Sequence, residues 1–163
     1  MQITRTLLLA ASALALLSSH AHGQYTSDQP RSLRGIRTVN VVFAEPSNKI
    51  EPRVRQQLFE RATFELRKAG LRVVGVSGGG APLSSDVVLN IGYFLRTGLA
   101  DGMMLRMDVE QPVTIQRTQE PLNIVTWYYE DQATVTNWRT DAGPMLERGV
   151  NKFLSDWLDA NGR

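Results

Sequence analysis

Three long stretches of period-two alternation, residues 86–96, 103–116 and 123–136, constrain the fold of this chain more than any other feature of its sequence. In the first, Val87, Leu89, Ile91, Tyr93 and Leu95 alternate with Val88, Asn90, Gly92, Phe94 and Arg96. In the second, Met103, Leu105, Met107, Val109, Val113 and Ile115 oppose Arg106, Asp108, Glu110, Pro112, Thr114 and Gln116. In the third, Val125, Trp127, Tyr129, Ala133 and Val135 share one side, and Thr126, Tyr128, Glu130, Gln132, Thr134 and Thr136 the other. Successive side chains of a strand point to opposite faces, so each stretch predicts a strand with one apolar face. The links over residues 97–102 and 117–122 are short enough for antiparallel neighbours, and such a meander can keep one face in water. Pro112 has no hydrogen to give a ladder, which puts the second strand at an edge there or beside a bulge.

Upstream, Val39, Val41 and Phe43 alternate within residues 36–43, predicting another strand. Pro52 at a first helical position and Gly70 at a stop bound a helix, in which Val54, Leu58, Ala62, Leu66 and Ala69 form one apolar stripe with Phe59 at its margin. Residues 71–76 follow as a short strand, making a right-handed crossover. The glycines of residues 77–85 lack the Lys-Ser or Lys-Thr of a phosphate-binding turn, and they predict a flexible linker. Near the C-terminus, Asp141 as cap and Pro144 in the first turn open a helix with Leu146, Val150, Phe153, Leu154, Trp157 and Leu158 on one face. Gly149 inside that helix costs stability, which close approach to the sheet would explain. The order β-α-β-β-β-β-α implies an α+β fold: a two-layer sandwich with a five-stranded mixed sheet and both helices on one face.

Residues 1–23 have the composition of a secretory signal: Arg5, an apolar run over residues 7–17, then small and polar residues. That run as a helix covers roughly 16 Å, against about 30 Å of hydrocarbon, so it predicts an export leader and no transmembrane segment after processing. Small residues place the cut before Gln24 or before His22. Residues 24–35 are polar and without periodicity, a flexible lead-in to a single domain over residues 36–161. The expected product is a periplasmic or secreted protein.

With the cut before Gln24, His20 and His22 both fall in the leader, and the chain has no Cys, so the processed chain then carries neither imidazole nor thiol. This excludes disulfides, thiol nucleophiles, Cys-ligated metals and most acid–base triads. No EF-hand-like run of oxygen ligands occurs, and the sequence calls for no cofactor and no metal. With 18 Lys and Arg against 16 Asp and Glu, the chain has no general attraction for nucleic acid. The charges are unevenly spread: residues 24–80 hold 10 bases and 5 acids, residues 81–163 hold 7 and 11.

Candidate chemistry is sparse. Asp108 and Glu110 project from one face of a strand about 6–7 Å apart, a spacing compatible with glycoside cleavage and equally with an ordinary solvated strand. Asp131 falls on the apolar-facing side, where a carboxylate is either buried and perturbed or simply beyond the helix-covered area. Phe64 lies far outside the apolar stripe of its helix, among Arg53, Arg61, Arg67 and Lys68, as an anchor for an anionic partner or a ring covered by a neighbouring segment. Tyr128 and Phe94 on the polar sheet face are a second candidate surface, or cross-strand packing pairs.

The run from Leu66 through Arg67, Lys68, Ala69, Gly70, Leu71, Arg72 and Val73 to Val74, then Ser85-Asp86-Val87-Val88-Leu89-Asn90-Ile91-Gly92, resembles families of uncharacterised exported bacterial envelope proteins. In these a helix, a glycine and a strand precede an Ala-Asp or Ser-Asp that opens a long strand. The order of elements is also similar to the lipopolysaccharide-assembly lipoprotein fold. The resemblance implies an envelope location and supplies no catalytic residues. Such relatives are usually acylated on a cysteine, which this chain lacks. The sequence thus predicts a non-enzymatic binding or accessory module that meets an envelope protein or an anionic glycolipid. A carboxylate-dependent hydrolase and a homo-oligomeric structural protein joined through edge strands are the alternatives.

Overall fold

The structure is a computed structural model that describes residues 29–46, 49–76, 86–96, 102–134 and 137–162. The signal segment, residues 24–28 of the lead-in and the glycine-rich residues 77–85 lie outside the described residues. The elements are α1 (Gln29–Ser32), β1 (Thr38–Ala44), α2 (Pro52–Lys68), β2 (Arg72–Val76), β3 (Val88–Arg96), β4 (Gly102–Thr114), β5 (Pro121–Thr134) and α3 (Trp138–Asn161). The five strands form one sheet in the order β2-β1-β3-β4-β5. β1 is parallel to both β2 and β3, while β3, β4 and β5 form the antiparallel meander. The α+β two-layer architecture read from the sequence is the one observed.

α2 begins with Pro52 at a position where a missing N–H costs nothing, and it ends in a Schellman turn. There Gly70 at φ 100° donates to Arg67 O at 2.9 Å, and Leu71 donates to Leu66 O at 3.1 Å. Leu58, Ala62 and Leu66 are buried, with Val54, Phe59 and Ala69 packed beside them, as the stripe required. Thr63, also buried, turns its hydroxyl back to Glu60 O at 3.0 Å.

α3 starts earlier than expected. Its N-cap is Asn137, whose side chain accepts from Arg139 N, and not Asp141. Asp141 instead sits in the first turn and accepts from Asn137 N at 3.0 Å, and Pro144 lies inside the helix. Ala142, Met145, Leu146, Val150, Phe153 and Trp157 of α3 meet Val39, Val41, Leu89, Ile91, Leu105, Met107 and Val109 of the sheet in one core. Gly149 lets α3 descend closest to β4: a Cβ there would lie 3.1 Å from Leu105 Cδ2 and 3.2 Å from Tyr129 Cε1.

Residues 29–35, expected to be flexible, are built into the fold. Leu33 and Ile36 are core residues, and Trp157 donates its indole N–H to Ile36 O at 2.8 Å. Asn161 accepts from Gly35 N at 2.8 Å and donates to Leu33 O at 3.2 Å. A single apolar residue per turn leaves no periodicity to detect, so the packing of this segment was invisible in the sequence.

Both readings of Pro112 hold. β3 pairs with β4 only as far as Val88 opposite Glu110, so Pro112 lies where β4 has lost that neighbour. The ladder to β5 also shifts there: Val109 pairs with Trp127, and Glu110 with Val125, leaving Thr126 as an extra residue. The bulge reverses the phase of β5. Val125, expected on the helix-covered face, stands opposite Glu110 on the other face, and Ile124 and Leu122 take its place opposite Gln111 and Val113.

Candidate functional site

Two surfaces gather the residues singled out by sequence. On α2, Arg53, Gln57, Glu60, Phe64 and Arg67 are exposed on the side opposite the buried stripe, and Arg61 and Lys68 are exposed at its margin. Phe64 is 61% exposed, and no described segment covers it. The bases around it are differently engaged. Arg61 reaches across to Glu147 of α3 at 2.8 Å, and Lys68 lies 3.5 Å from Glu65. Arg67 points back toward Val73 O at 3.5 Å, and Arg53 makes no ion pair among the described residues. Between α2 and α3 runs a groove of about 240 Å³, lined by Ala62, Leu146 and Val150 together with Arg61, Lys68 and Glu147. The share contributed by α3 was not legible in the sequence, because only the packing of the two helices creates it.

The second surface is the sheet face away from the helices. Asn90 of β3 donates its amide to Asp108 Oδ2 at 2.9 Å and to Glu110 Oε1 at 3.1 Å, bridging the two carboxylates. Arg106 Nε donates to Asp108 Oδ1 at 3.1 Å, and its guanidinium lies 5.2 Å from the centre of the Tyr128 ring. Tyr128 donates its hydroxyl to Glu130. Burial, and then this bond to Glu130, raises the Tyr128 phenol above its ordinary range. Asp108 is buried although it belongs to this face, so the network is internally satisfied rather than poised toward solvent. Phe94 folds back along its own strand, since a Cβ on Gly92 would fall 2.8 Å from Phe94 Cε2. The aromatic pair Tyr128 and Phe94 therefore consists of one ring stacked under a guanidinium and one lying over a glycine.

Asp131 is brought to neither surface. It faces α3, where Arg148 binds it with two nitrogens at 2.7 and 2.8 Å. That bond raises the arginine's affinity for its proton. On the adjoining Tyr129, burial first and then the Asp131 charge push the phenol upward. Among the described residues no group of three or more His, Cys, Asp or Glu is arranged to hold a metal ion, and no helix is long and apolar enough to cross a membrane.

No family model matches the chain, and no curated protein matches it. Among solved structures it is similar to a hypothetical protein of Chlamydia trachomatis, with 9% identity, 72% of this chain and 93% of that chain covered, and a TM-score of 0.41. It is also similar to a lipoprotein of Neisseria meningitidis, with 14% identity, 74% and 99% covered, and a TM-score of 0.35. A third is the PelC dodecamer from Paraburkholderia phytofirmans, with 15% identity, 78% and 87% covered, and a TM-score of 0.36. Likeness at this level says nothing of ligand, partner or activity.

Proposed function

We propose that the protein is an exported, non-enzymatic binding module of the bacterial envelope, and that it meets its partner through the outer face of α2 around Phe64. The observation that carries this is the bare ring of Phe64, 61% exposed on a helix face that also bears Arg53, Arg61, Arg67 and Lys68. A single aromatic that desolvates on contact, ringed by bases, suits an anionic partner, either an acidic envelope protein or an anionic glycolipid. Export rests on residues 1–23. The non-enzymatic part is supported by the state of the acids: Asp131 is tied to Arg148, and Asp108 to Arg106 and Asn90.

The test is capture from envelope extract by the wild-type protein and by Phe64→Ala and Arg53→Glu with Arg67→Glu, before and after protease treatment of the extract. Loss of a bound component in both variants supports the reading, and protease sensitivity tells protein from glycolipid. Equal recovery by wild type and both variants removes the α2 surface. A glycan and ester panel turned over by wild type but not by Asp108→Asn or Glu110→Gln would replace the module with a hydrolase.

A further inference from the structure

Beyond the point where β3 stops pairing, β4 and β5 continue as a two-stranded arm closed by the turn after Thr114, with Val113 opposite Leu122 and Gln111 opposite Ile124. Ile115 N–H donates to Glu120 O at 2.9 Å, and Gln119 sits at φ 60° in the turn. Because of the bulge at Thr126, Val113, Ile115, Leu122 and Ile124 all project from one face of the arm, the face that helices cover in the body of the sheet. Among the described helices α1 meets this face at its base, beside Gln111, and the outer part toward the turn is left open. Ile115, Leu122 and Ile124 are exposed, three of the six large exposed apolar residues among the described ones, and a fourth, Val125, lies on the opposite face of the arm.

The base of this apolar face is fixed to α1. Gln111 donates to Ser32 O at 2.8 Å, and Ser32 Oγ donates to Thr126 O at 2.9 Å. The same short segment carries Arg31 and Arg34, both exposed, and the turn at the far end carries exposed Arg117 beside Glu120. An apolar stripe on a β-ribbon is thus bounded by cations at both ends.

We infer that the arm is a peripheral membrane contact, lying with its apolar face on the surface of a bilayer that contains anionic phospholipid. Apolar side chains at the depth of the headgroup boundary, with arginines reaching lipid phosphates, are the recurring make-up of such contacts. A second copy is a poorer occupant: four partly exposed side chains per arm fall short of the roughly 1,000 Å² that a stable interface buries. The polar turn, residues 116–120, keeps the arm flat on the surface and prevents tip-first entry. The arm lies at the β5 edge, away from α2 at the β2 side, so a membrane-held molecule still presents Phe64 to a partner.

The experiment uses protein recovered after export, its N-terminus fixed by mass spectrometry, and vesicles of phosphatidylcholine with or without one quarter phosphatidylglycerol. Wild type should float with the anionic vesicles, and Leu122→Asp with Ile124→Asp should weaken partitioning by roughly tenfold or more. Arg34→Glu with Arg117→Glu should weaken it only on anionic vesicles and less at high salt. The chain has no Cys, so Leu122→Cys carries a single environment-sensitive dye that should shift to the blue on vesicles, while Thr114→Cys on the opposite arm face should not. Absence of flotation, equal shifts at both positions, or binding untouched by the arm variants overturns the inference. Flotation lost only with Phe64→Ala would assign the lipid contact to α2. Concentration-dependent mass that vanishes with Leu122→Asp, without flotation, would assign the arm to a second copy.

Discussion

Trp127 in β5 donates its indole N–H to Asp156 of α3 at 2.9 Å, joining the sheet to the last helix through a bond in which both partners are buried. Lys152, one turn earlier, closes on the same carboxylate at 2.7 and 2.9 Å. Asp156→Ala leaves a buried indole donor without its acceptor and should cost about 2–3 kcal/mol in denaturant unfolding. Lys152 is half exposed, so Lys152→Ala should cost about 1 kcal/mol or less. Equal costs for the two would mean that the lysine, not the indole, sets the energetics.

Gly149 stands where α3 comes nearest the sheet, and a Cβ there would lie 2.5 Å from Met107 Sδ. The thioether can swing aside, but Leu105 and Tyr129 close the other directions. Gly149→Ala should therefore destabilise by about 1–2 kcal/mol despite the better helix propensity of alanine, and Gly149→Val by more. A thermal midpoint higher than wild type for Gly149→Ala would show that the contact relaxes freely.

Asn161 clasps the segment before β1 through Gly35 N and Leu33 O. Asn161→Ala should loosen residues 29–36 more than the rest of the fold. Trypsin should then cut after Arg34 and Arg37 several-fold faster under native conditions, with about 1 kcal/mol lost in global stability. Unchanged cleavage would place the hold on this segment in Leu33 and Trp157 alone.

Tyr93 donates its hydroxyl to Ala142 O at 2.7 Å, and burial, reinforced by the charge of Asp131, pushes the phenol far above its ordinary value near 10. Below that value both the folded and unfolded chains keep the proton, and stability does not vary on its account. As pH rises past it, the unfolded chain ionises and the folded one does not, so stability falls by about 1.4 kcal/mol per pH unit for such a group. Urea unfolding between pH 8 and about 11.5 should show this decline, and Tyr93→Phe should flatten it while costing about 1 kcal/mol at neutral pH. A slope unchanged in Tyr93→Phe would assign the effect to Tyr128 and Tyr129.

Periodicity made the sandwich legible because its signal repeats along each element: every second residue from Leu89 to Tyr93, and the four-residue rhythm of Leu58, Ala62 and Leu66. Caps were less legible. Asn137 and Asp141 are both good N-cap residues four positions apart, and geometry alone decides between them. The phase of β5 before Thr126 differs from the simple alternation because an inserted residue leaves the composition of a strand unchanged while moving every side chain on one side of it across the sheet. Phe64 could be found because an aromatic outside an apolar stripe is conspicuous. The groove beside it and the amphipathic arm could not, since both arise from residues far apart in the chain or from the shifted register.

The additional residue at Thr126 also divides the sheet into two provinces with independent side-chain phase. The arm's exposed positions carry their side chains out of step with the body, where Trp127 and Val109 are buried in the core. Descendants of this chain are therefore free to recolour the arm, from greasy to charged, without renegotiating the interior beneath the helices.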